Sequence, residues 1–401
     1  MNTTVLNNGL RIISEKISYF KMVHLQFRYL VGSGYDYKNK WGIAHLLEHM
    51  LFRGDSEFIN KMAEYGAVYY AETDIYQTII YLDVPIENFY KSLKLILQMI
   101  SNINFTEEGL MLEKLAILNE IDIINNDSYL YGVQEFYYNI LGDCGHPILG
   151  DRNSIENINI DDLKKFFNQF YTSNNIIVGV AGDIEHDKIV GLISKYYYNS
   201  IISKKIYCDN IEIKNISRHI EYQSDLIQVF WGWNAPEKYT RESYIFNVLT
   251  TIFSGDGTNL WARLFKKCRT ELGLTYMIGG IINDFYKNSI YIVNSCTDLE
   301  NFDILIESFN REIECLSYGI KESEIRQSKA MIISELLSNH DNLQEIVNHI
   351  INKTIYKKEN LSLNEEIDFI KNVNNSELLD VFQRYLYTKS NSLITIGKLQ
   401  N

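Results

Sequence analysis

Residues 42–52 read Gly-Ile-Ala-His-Leu-Leu-Glu-His-Met-Leu-Phe, and within them His45, Glu48 and His49 are the residue types that hold and use a divalent metal. Apolar residues at Ile43, Ala44, Leu46, Leu47, Met50 and Leu51 surround them almost all the way round, so the segment is expected to be a buried helix. Positions i and i+4 of a helix share a face, which sets the two imidazoles side by side with the Glu48 carboxylate next to them. That set suits two zinc ligands plus a carboxylate that can take a proton from water. Burying two histidines and a glutamate without a partner is costly, which weighs against a chance pair of helix-surface histidines. Zinc catalysis also needs a third protein ligand. The helical stretch from Glu107 to Ile124 offers Glu113 and Glu120, seven residues apart and so on one face. Glu120 stands among Leu115, Ala116, Ile117, Leu118, Ile121 and Ile123, where an unpaired carboxylate is expensive. Taken alone, it reads more simply as a solvated helix-face residue.

The elements that must position these residues repeat within the chain. In the first half, Val23 to Leu30 alternates like a strand, Gly32-Ser33-Gly34 turns, and a helical pattern runs to Phe52. In the second, Ile227 to Trp233 is the strand, Asn234-Ala235-Pro236-Glu237 the turn, and Tyr244 to Phe253 the helix, in a register 202 residues later. Each half closes on an aromatic-rich helix end followed by an apolar strand to a glycine, Ile176–Gly182 and Ser392–Gly397. Residues 200–220 lack a strong period and read as a linker or connecting strand. The expectation is an α+β protein of two related domains, 1–205 and 206–401, each a mainly antiparallel sheet with one polar face, packed with helices. The positions 202 after His45, Glu48 and His49 are Asn247, Thr250 and Thr251, so only the first domain is expected to hold metal.

Composition narrows the remaining classes. With 401 residues, 46% hydrophobic, 22% charged and three prolines, wholesale disorder is excluded. A net charge of −13 argues against nucleic acid or an anionic membrane surface as the main partner. Five cysteines, odd in number and with no C-x-x-C pair, indicate neither a disulfide framework nor a thiolate zinc knuckle, which fits a reducing cytoplasm. No secretion signal is expected from the first residues, and no apolar run approaches the length of a transmembrane helix.

On the motif at His45, Glu48 and His49, the chain resembles the pitrilysin/insulinase-type inverzincin metallopeptidases, in the short branch with mitochondrial processing-peptidase subunits and bacterial processing-type proteases. The likeness extends along nearly the whole chain, through Asn8-Gly9-Leu10-Arg11, His49 to Gly54, Gly145 to Gly150, and Arg269 to Tyr276. It implies one zinc per chain held by His45, His49 and Glu120, with Glu113 as a supporting carboxylate and Glu48 as the catalytic base. It also implies that Arg269 orients the substrate backbone and that Tyr276 stabilises the oxyanion; without it they read as a helix-end arginine and a strand tyrosine. The expected architecture is a clamshell around a chamber, the substrate a short or unfolded peptide, and the partner a second copy or a sister subunit. One departure stands out: the family commonly has Asn-Ala where this chain has Tyr70-Ala71.

Other features read as structural. Ser254-Gly255-Asp256-Gly257 lacks the Lys-Ser/Thr of a phosphate loop and reads as a turn after a helix. His146 reads as a loop histidine, and Trp231 and Trp233 as core or sheet-face residues. The expected function is therefore a zinc-dependent metalloendopeptidase, plausibly one that removes a leader or presequence. The competing expectation is a non-catalytic or obligate-heterodimer substrate-binding subunit. A zinc-stabilised structural protein fits less well, because it calls for a closed site of four ligands and only three are visible.

Overall fold

The computed structural model of the chain describes residues 1–53, 56–101, 103, 105–197, 214–285, 288–356, 361–387 and 391–399. The expected boundary at 205/206 and most of the expected linker lie outside them. In order, β1 (Asn2–Val5), β2 (Arg11–Lys16) and β3 (Met22–Tyr29) precede α1 (Ile43–Leu51), α2 (Ser56–Glu64), β4 (Val68–Thr73) and β5 (Thr78–Pro85). Helices α3 (Phe89–Ser101), α4 (Glu107–Asn125), α5 (Ser128–Leu141), α6 (Arg152–Asn157) and α7 (Ile160–Phe170) lead to β6 (Ile176–Gly182) and α8 (His186–Tyr196). The second half begins with β7 (Ser217–Glu221), β8 (Leu226–Ala235), α9 (Arg241–Phe253), β9 (Ile278–Phe285) and β10 (Asn288–Asp298). It ends with α10 (Leu299–Ser317), α11 (Glu322–His340), α12 (Leu343–Tyr356), α13 (Leu363–Asn372), α14 (Asn375–Tyr385) and β11 (Asn391–Gly397).

Among the described residues, one sheet has the order β1-β2-β6-β3-β5-β4 and the other β7-β11-β8-β10-β9. Matching β2, β6, β3, β5 and β4 to β7, β11, β8, β10 and β9 gives the same order. It also gives the same sense of pairing, with β2–β6 and β7–β11 parallel and the other pairs antiparallel. Only the first sheet carries an extra edge strand, β1. The α+β class and the duplication expected from the sequence are therefore present.

The chain forms two compact units that are discontinuous in sequence. The first comprises Met1–Ile123, Asp143–Cys208 and Asn339–Ile355; the second comprises Ile124–Gly142, Asp209–Ser338 and Tyr356–Asn401. Each half thus supplies one helix to the unit built mainly by the other, an exchange that a contiguous division cannot represent.

In the first unit, Leu25 and Phe27 of β3 point into a core shared with Leu46, Leu47 and Met50 of α1, Leu93 of α3 and Phe166 of α7. The alternate residues of β3, His24, Gln26 and Arg28, face the other way, as the period of two requires. This polar face does not meet water: the three are 0–3% exposed, because α12 lies over them. Asn348 accepts from Gln26 Nε2 at 2.9 Å and from Arg28 Nη2 at 2.7 Å, while Asn352 accepts from Arg28 Nη1 at 2.6 Å. Apolar contacts of Ile13, Ile177 and Ala181 with Val347 and Ile351 complete that layer.

In the second unit, α9, α10 and α14 pack on one face of the sheet, where Trp231 stacks on Phe309 at 3.9 Å. Helix α5 lies against Phe230 of β8, and Gly132 permits the approach, since a Cβ there would sit 2.6 Å from the Phe230 ring.

Candidate functional site

Helix α1 starts at a glycine in the left-handed region, Gly42 at φ 90°, and its first residues Ile43 and Ala44 are fully buried. Gly42 brings no capping side chain, and buried amides at a helix start need acceptors. Asp36 supplies them: its Oδ2 accepts from Gly42 N–H at 2.6 Å and its Oδ1 from Ala44 N–H at 3.1 Å. One turn later His45 and His49 stand edge to face, ring centroids 4.6 Å apart.

Glu120 of α4 reaches both rings, with carboxylate oxygens 3.9 Å from His45 Nε2 and 3.7 Å from His49 Nε2. These spacings are too long for hydrogen bonds. The three donor atoms lie within 4.8 Å of one another, the one such group of three among the described residues. Donors that converge without bonding one another are what a shared cation at about 2.0–2.2 Å from each requires, and His, His and Glu are zinc's ligand types. The residues fit the metal that the sequence implies.

Protonation states agree. Burial, followed by the neighbouring His49, pushes the His45 imidazole down to about 3, so it stays neutral and can ligate at any physiological pH. Glu113 Oε2 accepts from the Nδ1–H of His49 at 3.0 Å, which turns Nε2 toward Glu120. Glu113 is in turn held by Arg53, whose Nη1 donates to Glu113 Oε1 at 3.2 Å and to Gly109 O at 3.1 Å. Arg53 stands in the turn after the motif, and the sequence carries no signal for its role as an anchor.

Glu48 is 8% exposed, and Thr73 Oγ1 on β4 donates to its Oε2 at 2.7 Å. Burial raises its pKa above the ordinary carboxylate value; the Thr73 bond and His49 oppose that rise, while Glu120 and Glu72 add to it. A carboxylate whose pKa is raised, beside a metal set, is equipped to accept and return a proton.

Arg269 and Tyr276 belong to the second unit and meet one another there. Arg269 lies in the last turn of a π-helical segment, Phe265–Glu271, and its guanidinium lies 4.8 Å from the Phe265 ring and 4.6 Å from the Tyr276 ring. Tyr276 lies in the loop before β9, not in a strand, and is 82% exposed. Tyr70, on the edge strand β4, stacks on Tyr81 at 4.5 Å and donates to Gln344 of α12 at 3.4 Å. The 254–257 segment is a turn at the end of α9, closed by Asp256 accepting from Thr258 N–H at 2.8 Å.

Comparison with known proteins gives a consistent picture. Residues 11–135 match the family model described as insulinase (peptidase family M16), and residues 157–332 the model described as peptidase M16 inactive domain. An uncharacterized zinc protease of Rickettsia bellii is 27% identical over 391 residues, covering 95% of this chain and 90% of that protein. The mitochondrial-processing peptidase subunit beta of Bos taurus is 23% identical over 427 residues, covering 99% of this chain and 84% of that one. A crystal structure of a protease from Helicobacter pylori superposes with a TM-score of 0.89 at 19% identity, covering 99% of each chain. The peptidase M16 inactive domain structure from Pseudomonas fluorescens gives 0.89 at 17% identity, covering 99% of this chain and 98% of that one.

Proposed function

The chain belongs to peptidase family M16, and on that premise we propose that it is a zinc-dependent endopeptidase cleaving short or unfolded peptides, with leader or presequence removal as its role. The observation that carries this reading is the convergence of His45, His49 and Glu120 beside a buried Glu48. His45, His49 and Glu120 would hold one zinc ion, which when bound supplies Lewis acidity toward water and toward a peptide carbonyl.

Glu48 takes a proton from the water that attacks the scissile carbonyl and delivers it to the leaving amine. Thr73 fixes the carboxylate for both transfers. Glu113 and Arg53 hold the His49 ring and its tautomer. Tyr276 is assigned to the developing oxyanion and Arg269 to the substrate backbone; removal of one oxyanion donor costs about 2.7–4 kcal/mol in enzymes that use one. β4 ends its sheet with a single strand neighbour, and Thr73 on it touches Glu48, so a peptide added along this edge would run past the base.

The named relationship to a processing-peptidase subunit supports a dimer of two copies or a pair with a sister subunit. No described helix is long and apolar enough to cross a membrane, and a cytoplasmic location is proposed from the cysteine usage.

The test is elemental analysis of the purified protein and of Glu48→Gln, with cleavage of a mixed unstructured peptide library. One zinc per chain in both, with cleavage only by the parent, is the expected result. Zinc without cleavage by either redirects the reading to an obligate-heterodimer or non-catalytic subunit, and metal in neither under zinc-replete conditions removes the site.

A further inference from the structure

The buried start of α1 depends on Asp36, and Asp36 has a partner that the catalytic reading does not use. His146, in the loop between α5 and α6, is 3% exposed. Its Nδ1 lies 2.9 Å from Pro147 O and its Nε2 2.9 Å from Ser33 O. Both acceptors are backbone carbonyls, which have no proton to give, and a neutral imidazole carries only one N–H. One of the two contacts would then set a ring lone pair against a carbonyl lone pair at hydrogen-bond distance. Protonation of both nitrogens satisfies both contacts.

The surroundings suit that charge. The fully buried Asp36 carboxylate lies 3.6 Å from Nε2, and Asp143 and Asp151 contribute negative potential from the flanking loop. The Trp41 ring stacks on the imidazole at 4.8 Å and 7°. Burial opposes the charge on both partners, drawing the His146 pKa below and the Asp36 pKa well above their ordinary values. As an ion pair, however, these contacts are all satisfied: two N–H groups meet two carbonyls, and two carboxylate oxygens meet the amides of Gly42 and Ala44.

We infer that His146 is a positioning residue: a buried imidazolium that keeps Asp36 as a carboxylate and so fixes the first turn of the helix carrying His45, Glu48 and His49. The inference rests on α1 being the metal-bearing helix for its functional meaning, but the charge and the helix anchoring can be read without metal.

The first measurement is NMR of the metal-free chain with ¹⁵N-labelled histidine at pH 8, above the ordinary imidazole pKa of about 6.5. The His146 signals are identified by their loss in His146→Gln. Two protonated ring nitrogens are expected; one bare nitrogen overturns the imidazolium. The second measurement is amide exchange of metal-free protein in His146→Gln, Asp36→Asn and the double variant. Each single change should speed exchange across 42–46 while peptides from β8 to β10 keep their protection, and the double variant should be no faster than the worse single one. Additive effects, or no effect on 42–46, overturn the coupling.

Should His146→Gln not fold, the His146 signals are assigned in the wild type through the Trp41 ring stacked on it, and Asp36→Asn supplies the exchange test. Zinc affinity by chelator competition should fall roughly tenfold in each single variant, within the range for residues that orient metal ligands. Unchanged affinity would show that the clamp does not serve the site. If the wild type binds no zinc at all, the peptidase reading fails while the NMR and exchange results still judge the ion pair.

Discussion

Helices α1 and α9 hold equivalent places in two sheets of the same strand order, yet they treat their polar residues in opposite ways. In α9, the counterparts of Glu48 and His49 are Thr250 and Thr251, and both hydroxyls donate back to Asn247 O, at 3.2 and 2.8 Å. Their hydrogen bonds close within one helical turn and ask nothing of the rest of the unit. In α1 the polar side chains are met from far away in sequence: His49 by Glu113 and Glu48 by Thr73, while Glu120 converges on both imidazoles without bonding either.

The helix starts differ likewise. α9 has a local capping box, Thr240 with Ser243, whereas α1 borrows Asp36 and, through it, His146. Where it aligns with the metal set, α9 satisfies itself and is scaffold; α1 at the same positions holds unpaired metal-binding atoms in fixed places, which is what metal binding requires.

The sharpest way to break this comparison is to neutralise equivalent positions. Glu48→Gln should lower peptide cleavage by about 10²–10⁴-fold while zinc content stays at that of the parent. Thr250→Val in α9 removes only an intrahelical bond and should leave the turnover number unchanged. A comparable loss in both would mean that α9 is not passive. Next in size, Glu113→Ala frees the His49 ring and leaves Arg53 without its carboxylate; zinc affinity by chelator competition should drop about 10–100-fold. An unchanged affinity would mean that α1 holds its tautomers unaided. Thr240→Ala then tests the self-sufficient helix: loss of the cap should cost about 1 kcal/mol in denaturant unfolding with zinc affinity untouched.

How much of this was legible in the sequence follows the same division. Helical spacing alone set His45, Glu48 and His49 on one face, because a period of 3.6 needs no tertiary information. The duplication was legible for a related reason, since strand and helix periods repeat at a fixed offset. Glu120 was different: its local surroundings left a solvated carboxylate as the simpler reading, and only the family resemblance selected it. Arg53, Asp36 and His146 carried no local signal as anchors, because the partners Glu113, Gly42 and Ser33 lie between 6 and 113 residues away.

The polar face of β3 was legible as a face but not as a buried one. Alternation of His24, Gln26 and Arg28 reads like contact with water, and a helix more than 300 residues later supplies the amides that stand in for it. A period reports which residues point together, not what covers them.

The finest test concerns Glu48 itself. Its carboxylate works as a base only when ionised, and burial raises its pKa while the Thr73 hydroxyl, by donating to Oε2, holds it down. Thr73→Val keeps the shape of the side chain and removes that donor, so the ionised form loses a charge-assisted bond and the pKa should rise further. The protonated, inactive form then persists to higher pH, and the acid limb of kcat/KM should move upward. On that limb the loss should be about 2–10-fold, the equivalent of roughly 0.5–1.5 kcal/mol for one hydrogen bond, with the plateau at higher pH nearly unchanged. A limb that moves to lower pH would contradict the direction set by the donor. A uniform loss at every pH would assign Thr73 to substrate placement along β4, leaving α1 to set the protonation of its own base as α9 sets its own hydroxyls.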